Sequence, residues 1–92
     1  MLLNRTVKFY NYGNYSSDNY GAHTLCFVDA ENNHFYFSYD TLVAFSCGSE
    51  LHILKNYWGT ITGKHLNWIN PDKRIREDEK TFEENYKRCF KC

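Results

Sequence analysis

Apolar and polar positions alternate along much of the first half of the chain. In residues 5–10, Val7 and Phe9 can face one way while Lys8 and Tyr10 face the other, the signature of a half-buried strand. Residues 22–28 repeat the pattern, with Leu25 and Phe27 opposite Cys26 and Val28. Residues 34–39 set Phe35, Phe37 and Tyr39 against His34, Tyr36 and Ser38. Residues 42–47 fit either a buried strand or a short helix, and residues 51–55 read as a strand. Glu31-Asn32-Asn33 and Gly48-Ser49 are turn signals between these runs. Short β-type runs with regular turns predict an antiparallel meander.

The pattern changes after Lys55. Residues 56–70 mix Tyr57, Trp58, Ile61, Leu66, Trp68 and Ile69 with small polar residues. They predict an ordered loop with a short strand or helical turn, pinned by the two indoles. Asn70-Pro71-Asp72 is a turn. Phe82, Tyr86, Cys89 and Phe90 then recur at helical spacing, so residues 81–90 form an amphipathic helix that covers one sheet face, with a start as early as Asp78. Thr81 and Glu84 have capping-box spacing. The expected fold is α+β: one domain over residues 1–92, with a four- or five-stranded antiparallel sheet and one C-terminal helix. An aromatic β-rich body spans residues 5–70 and a charged helical arm spans residues 72–92.

Composition sharpens this picture. Aromatic residues are 18% of the 92 positions, enough for a few rings to build a small core. The formal net charge is zero, which argues against a purely electrostatic nucleic-acid binder. Residues 72–92 nevertheless hold six of the eleven acids and seven of the eleven bases, which leaves the body weakly charged. Met1-Leu2-Leu3 is followed at once by Asn4 and Arg5, so no export signal is read. The expected location is the cytoplasm, with Cys26, Cys47, Cys89 and Cys92 as reduced thiols.

The candidate chemistry is thin. Gly59-Thr60-Ile61-Thr62-Gly63-Lys64-His65 superficially resembles a phosphate loop. It has three residues between its glycines where four are needed, and His65 where Ser or Thr should bind magnesium. Cys89-Phe90-Lys91-Cys92 with His23 and Cys26 would supply four zinc ligands, but a strand points His23 and Cys26 to opposite faces. No metal, no cofactor and no catalytic residue are expected, and the chain is read as a non-enzyme.

Residues 10–21 point to binding instead. They use only Tyr, Asn, Gly, Ser and Asp. Such mixtures make recognition surfaces, because Tyr gives stiff contact area while Asn, Ser and Gly give adaptable hydrogen bonds. Tyr12, Tyr15 and Tyr20 are the expected partner-binding residues and should be exposed, with Lys64 and His65 as secondary exposed contacts.

Three stretches carry a family resemblance: NYGNYSSDNYGAHTL at residues 11–25, SYDTLVAF at 38–45 and TGKHLNWI at 62–69. Their order and spacing resemble a family of small proteins, a domain of unknown function, from phages, prophages and plasmids of low-GC Gram-positive bacteria. The resemblance implies a mobile-element origin and no catalytic residues. The function expected from it is that of an accessory protein that binds and inhibits a host protein, of the anti-CRISPR type, with a CRISPR effector or other defence nuclease as target. The alternative is a small nucleic-acid-binding regulator that uses sheet tyrosines and the basic C-terminal arm. No membrane association is expected.

Overall fold

The alternating runs become strands. The computed structural model describes residues 8–13 and 23–90. Among them, β1 (Lys8–Asn11), β2 (Leu25–Val28), β3 (His34–Ser38), β4 (Thr41–Cys47) and β5 (Glu50–Leu54) form an antiparallel meander in sequence order. The turns use the expected chemistry. Asp29 Oδ1 accepts the backbone N–H groups of Glu31 and Asn33, both at 2.9 Å. Gly48 turns β4 into β5 at φ 62°, a left-handed conformation that glycine adopts without steric cost. Tyr39, between β3 and β4, also has positive φ, and its N–H donates to the His23 carbonyl at 2.9 Å.

Register then sorts the side chains, because successive strand residues point to opposite faces. Phe9, Phe27, Phe35, Phe45 and His52 pair in one row across five strands. Tyr10, Cys26, Tyr36, Ala44 and Ile53 form the neighbouring row on the other face. A bulge adjusts the alternation. Tyr36 pairs with Ala44 and Phe37 with Leu42, so Val43 is an extra residue in β4. Val43 and Ala44 consequently join one core, while Leu42 and Phe45 join the other.

Each core has its own helix. Helix α1 (Thr60–Ile69) brings Leu66 and Ile69 to Val43, Ala44 and Ile53. Helix α2 (Glu79–Cys89) brings Phe82, Tyr86 and Cys89 to Phe45 and Leu54 on the opposite face, joined by Phe90 just beyond its end. The sheet is therefore sandwiched between two helices.

Two expectations need correction. The sheet has six described strands and is mixed. β6 (Arg76–Glu77) lies beside β5 in parallel, and α1 is the crossover that parallel pairing requires. The C-terminal helix also has a companion in α1, where the sequence suggested a loop. Thr60, Thr62, Gly63 and His65 obscured it, because their low helix propensity and polarity masked the buried face. Only one indole packs in this segment: Trp68 is half-buried and stacks on His65, whereas Trp58 is 49% exposed. Residues 42–47, read as strand or helix, are a strand.

The arm is close to expectation. α2 starts at the early boundary, but its N-cap is Asp78, whose side chain accepts from the Thr81 N–H at 2.8 Å. Thr81 is thus inside the helix and not its cap. Asp78→Ala is expected to lower stability by about 1 kcal/mol in a denaturant titration, the usual effect of losing such a cap. Arg76 ties β6 to the end of α1 by donating to Asn67 Oδ1 at 3.2 Å and the Asn70 carbonyl at 3.0 Å.

Candidate functional site

An aromatic groove opens between the sheet, α2 and the turn before α1. Its floor is Leu42, Leu54 and Phe82, and its volume is about 530 Å³. Tyr57, Trp58 and Tyr86 stand at its walls, with Glu79 and Glu83 on the rim. Local polar chemistry shapes the wall between β5 and α1. Asn56 Oδ1 accepts the Trp58 N–H at 3.0 Å, and Asn56 Nδ2 donates to the Gly59 carbonyl at 2.9 Å. That amide needs the space beside Gly63, where a Cβ would lie 2.9 Å from Asn56 Nδ2. The mid-helix glycine thereby lets the loop close against α1. Tyr57 Oη accepts the Glu79 N–H at 3.1 Å, satisfying one of the unpaired donors at the start of α2. The two rings meet edge to face, with centroids 6.0 Å apart. Both remain about half exposed, as does Ile61 on the first turn of α1. Large apolar side chains exposed together are the informative exception on a small protein's surface.

The residues expected from sequence to bind a partner are dispersed. Tyr15 and Tyr20 lie outside the described residues. Tyr12 is half-buried, which corrects the expectation of exposure. Its hydroxyl donates to the Phe37 carbonyl at 2.8 Å, and its ring packs edge-on against Tyr36 at 5.4 Å. Lys64 is exposed on α1, with Nζ 6.0 Å from the centre of the Trp68 ring. His65 is fully buried, so it is no exposed contact.

What His65 does is join two of the sequence motifs. Ser38 Oγ lies 2.7 Å from His65 Nδ1 and 3.3 Å from Thr62 Oγ1, all three residues buried. SYDTLVAF and TGKHLNWI therefore meet in one polar network that holds α1 on the sheet. Tyr39 and Trp68 enclose the imidazole, with centroids at 5.7 and 5.6 Å. Burial, helped by the charges of His23 and Lys64, holds the His65 pKa below its ordinary value. The unfolded chain then binds more protons than the folded one as pH falls below about 6.5. Stability is expected to be full above that pH and to fall as the pH descends toward the lowered folded value. Equilibrium unfolding from pH 7.5 to 5.5 checks this, and His65→Gln should flatten the slope.

The described thiols differ in setting. Cys26 is fully buried, and burial raises its pKa. Cys89 is raised to about 11, by burial and then by the hydrogen bond it shares with the Cys47 thiol. Cys92 lies outside the described residues. His23 and Cys26 do not come together with Cys89 as a ligand set among the described residues.

Comparison with known proteins now places the chain. A family of unknown function, DUF8033, matches residues 6–84. The chain belongs to this family. The match takes in the whole sheet and both parts of the Ser38–His65 network, and it stops within α2. No curated protein and no solved structure matches. Among the described residues, no helix of this DUF8033 member is long and apolar enough to cross a membrane.

Proposed function

We propose that this DUF8033 protein is a non-enzymatic binding module that docks a host protein through the aromatic groove and inhibits it. The carrying observation is the exposed pair Tyr57 and Trp58 above an apolar floor, beside the acidic rim of Glu79 and Glu83. Trp and Tyr anchors next to a preformed pocket are the usual sources of affinity in protein interfaces. The acidic rim favours a partner segment that places an apolar side chain in the groove and a basic one beside it. The mobile-element resemblance supplies the biological setting, an accessory protein acting in the host cytoplasm, with a defence nuclease such as a CRISPR effector as the target class.

A nucleic-acid role draws less support. It would combine sheet tyrosines with the basic residues of the C-terminal arm. Tyr10 and Tyr36 lie on the α1 face, whereas Lys80, Lys87 and Arg88 belong to α2 on the opposite face. Tyr36 also spends its ring on Tyr12 and His34, at 5.4 and 6.1 Å.

Affinity capture from nuclease-treated lysate of a low-GC Gram-positive host tests the reading. The expected result is one retained protein whose activity falls when the purified module is added, with binding only weakly sensitive to salt. Capture that requires nucleic acid, or that weakens steeply with salt as counterion release demands, would reverse the preference.

A further inference from the structure

At the end of α2 remote from the groove, four elements bring their chemistry-bearing residues together. β4 and β5 pair Cys47 with Glu50 directly across the ladder. His52, two residues further along β5, points to the same face and is buried beneath Phe45, with ring centroids 5.0 Å apart. β6 contributes Glu77, and the last turn of α2 contributes Cys89. Glu50, His52 and Cys89 each present one donor atom, and those atoms all lie within 4.8 Å of one another. Cys47, paired with Glu50 across the ladder, packs against the same core as Cys89 and so flanks this group.

We propose that Glu50, His52 and Cys89, with Cys47 as the fourth ligand, form a zinc-binding site. The donor set is one carboxylate oxygen, one imidazole nitrogen and two sulfurs, which suits zinc and is poor for magnesium or calcium. The scale is right. Around tetrahedral zinc, ligand atoms at about 2.0–2.3 Å from the metal stand roughly 3.3–3.8 Å from each other. Glu50 Oε1 and His52 Nε2 are 3.0 Å apart, so modest adjustment admits the ion between them.

The histidine is already oriented for the task. His52 Nδ1 lies 2.8 Å from Glu77 Oε2, and Asn85 Nδ2 donates to the other Glu77 oxygen at 3.1 Å. A carboxylate held on Nδ1 favours the tautomer that leaves the Nε2 lone pair available, the usual arrangement behind a metal-binding histidine. In that tautomer Nε2 has no proton for the Glu50 oxygen it faces. The contact is favourable only with a second proton on the ring or with a metal cation between the two atoms. Arg88 opposes the metal, because its guanidinium donates to the same Glu50 oxygen at 3.1 Å. Arg88 is exposed, however, and can swing into solvent. Cys47 and Cys89 must each give up a thiol proton on binding, so zinc uptake releases acid. This site is separate from the groove, and its fate does not decide the binding reading above.

The test uses the full chain, reduced and freed of metal, with zinc measured by equilibrium dialysis and cobalt as a spectroscopic substitute. One zinc per chain is expected. Cobalt should give the near-ultraviolet charge-transfer band of cobalt–thiolate bonds together with intense visible bands of tetrahedral geometry. Cys89→Ser and His52→Ala should abolish stoichiometric binding. Glu77→Gln, which keeps all four ligands, should weaken it about 10–100-fold, and Arg88→Ala should bind at least as tightly as the parent. Circular dichroism on each metal-free variant separates loss of ligand from loss of fold. Absence of stoichiometric zinc, cobalt spectra without the thiolate band, or unchanged affinity in folded Glu77→Gln would each overturn the site.

Discussion

Phe45→Ala is expected to lower the unfolding free energy by about 3–5 kcal/mol, the range for truncating a buried aromatic side chain. Phe45 is fully buried at the centre of the face that α2 covers. Its ring touches Phe82, Tyr86 and Phe90 with centroids 5.1–5.5 Å away, and lies 5.0 Å from His52 beneath it. Alanine would leave four rings facing a void that none can fill alone. Phe82→Ala, on the helix side of the same contact, should cost a similar amount. Because the residues touch, the double variant should fall short of the sum of the two singles. Urea titrations of the three variants measure all of this. Unchanged stability in either single variant would mean that α2 does not dock as described.

The second large effect is on binding. Trp58→Ala is expected to weaken partner affinity about 30-fold or more, the roughly 2 kcal/mol of a central aromatic anchor. The same change should leave stability within about 0.5 kcal/mol, since the indole is half exposed and the turn is held by Asn56 and backbone groups. Trp58 is a cleaner probe than Tyr57, whose hydroxyl also serves the start of α2. Tyr12→Phe is the opposite control. It deletes the bond to the Phe37 carbonyl, so it should lower stability and leave affinity alone. Binding isotherms and thermal melts on these two variants separate recognition from folding. If Trp58→Ala binds as tightly as the parent, the groove is not the contact surface.

The meander was legible from alternation backed by turn signals: β2 buries Cys26 and Val28 at every second position, whereas β1 is exposed throughout and β4 and β5 each bury three residues in succession. Phe27 and Phe35 could be placed on alternating strands before any coordinates, but Phe45 could not, because residues 42–47 fitted a strand and a helix alike. α2 was legible for the same reason at a period of 3.6, from Phe82, Tyr86 and Cys89. α1 was not, because two of its three buried residues, Thr62 and His65, are polar. Thr62 and His65 are buried only because Ser38, far away in sequence, completes their hydrogen bonds. β6 was illegible on other grounds. Two charged residues have no strand pattern, and only the open edge of β5 makes them one.

The candidate sites follow the same logic. The aromatic stretch at residues 10–21 has a recognition-type composition, yet Tyr12 directs its hydroxyl to backbone. Composition cannot tell a tyrosine that binds a partner from one that bonds to the fold's own backbone. Tyr57 and Trp58 were visible as large rings, but their exposure depends on where α2 lies. The grouping of Glu50, His52, Glu77 and Cys89 draws on residues up to 39 positions apart in the sequence. No local motif announces it.

The two-residue strand β6 has a kinetic consequence. Strands β2 to β5 close through connections of two to five residues, so their contacts form at low entropic expense. β6 must instead wait for α1 to be laid across the sheet, and α2 begins immediately after it. Everything from residue 56 onward should therefore assemble late and open early, as one cooperative unit. In native-state hydrogen exchange, the Lys55 amide that donates to the Glu77 carbonyl would lose protection together with the amides of α2. The amides shared by β3 and β4 would hold until the whole chain unfolds. Both the groove and the carboxylate-bound histidine straddle that seam, so a ligand in either place would stitch the late unit to the early one and slow its opening.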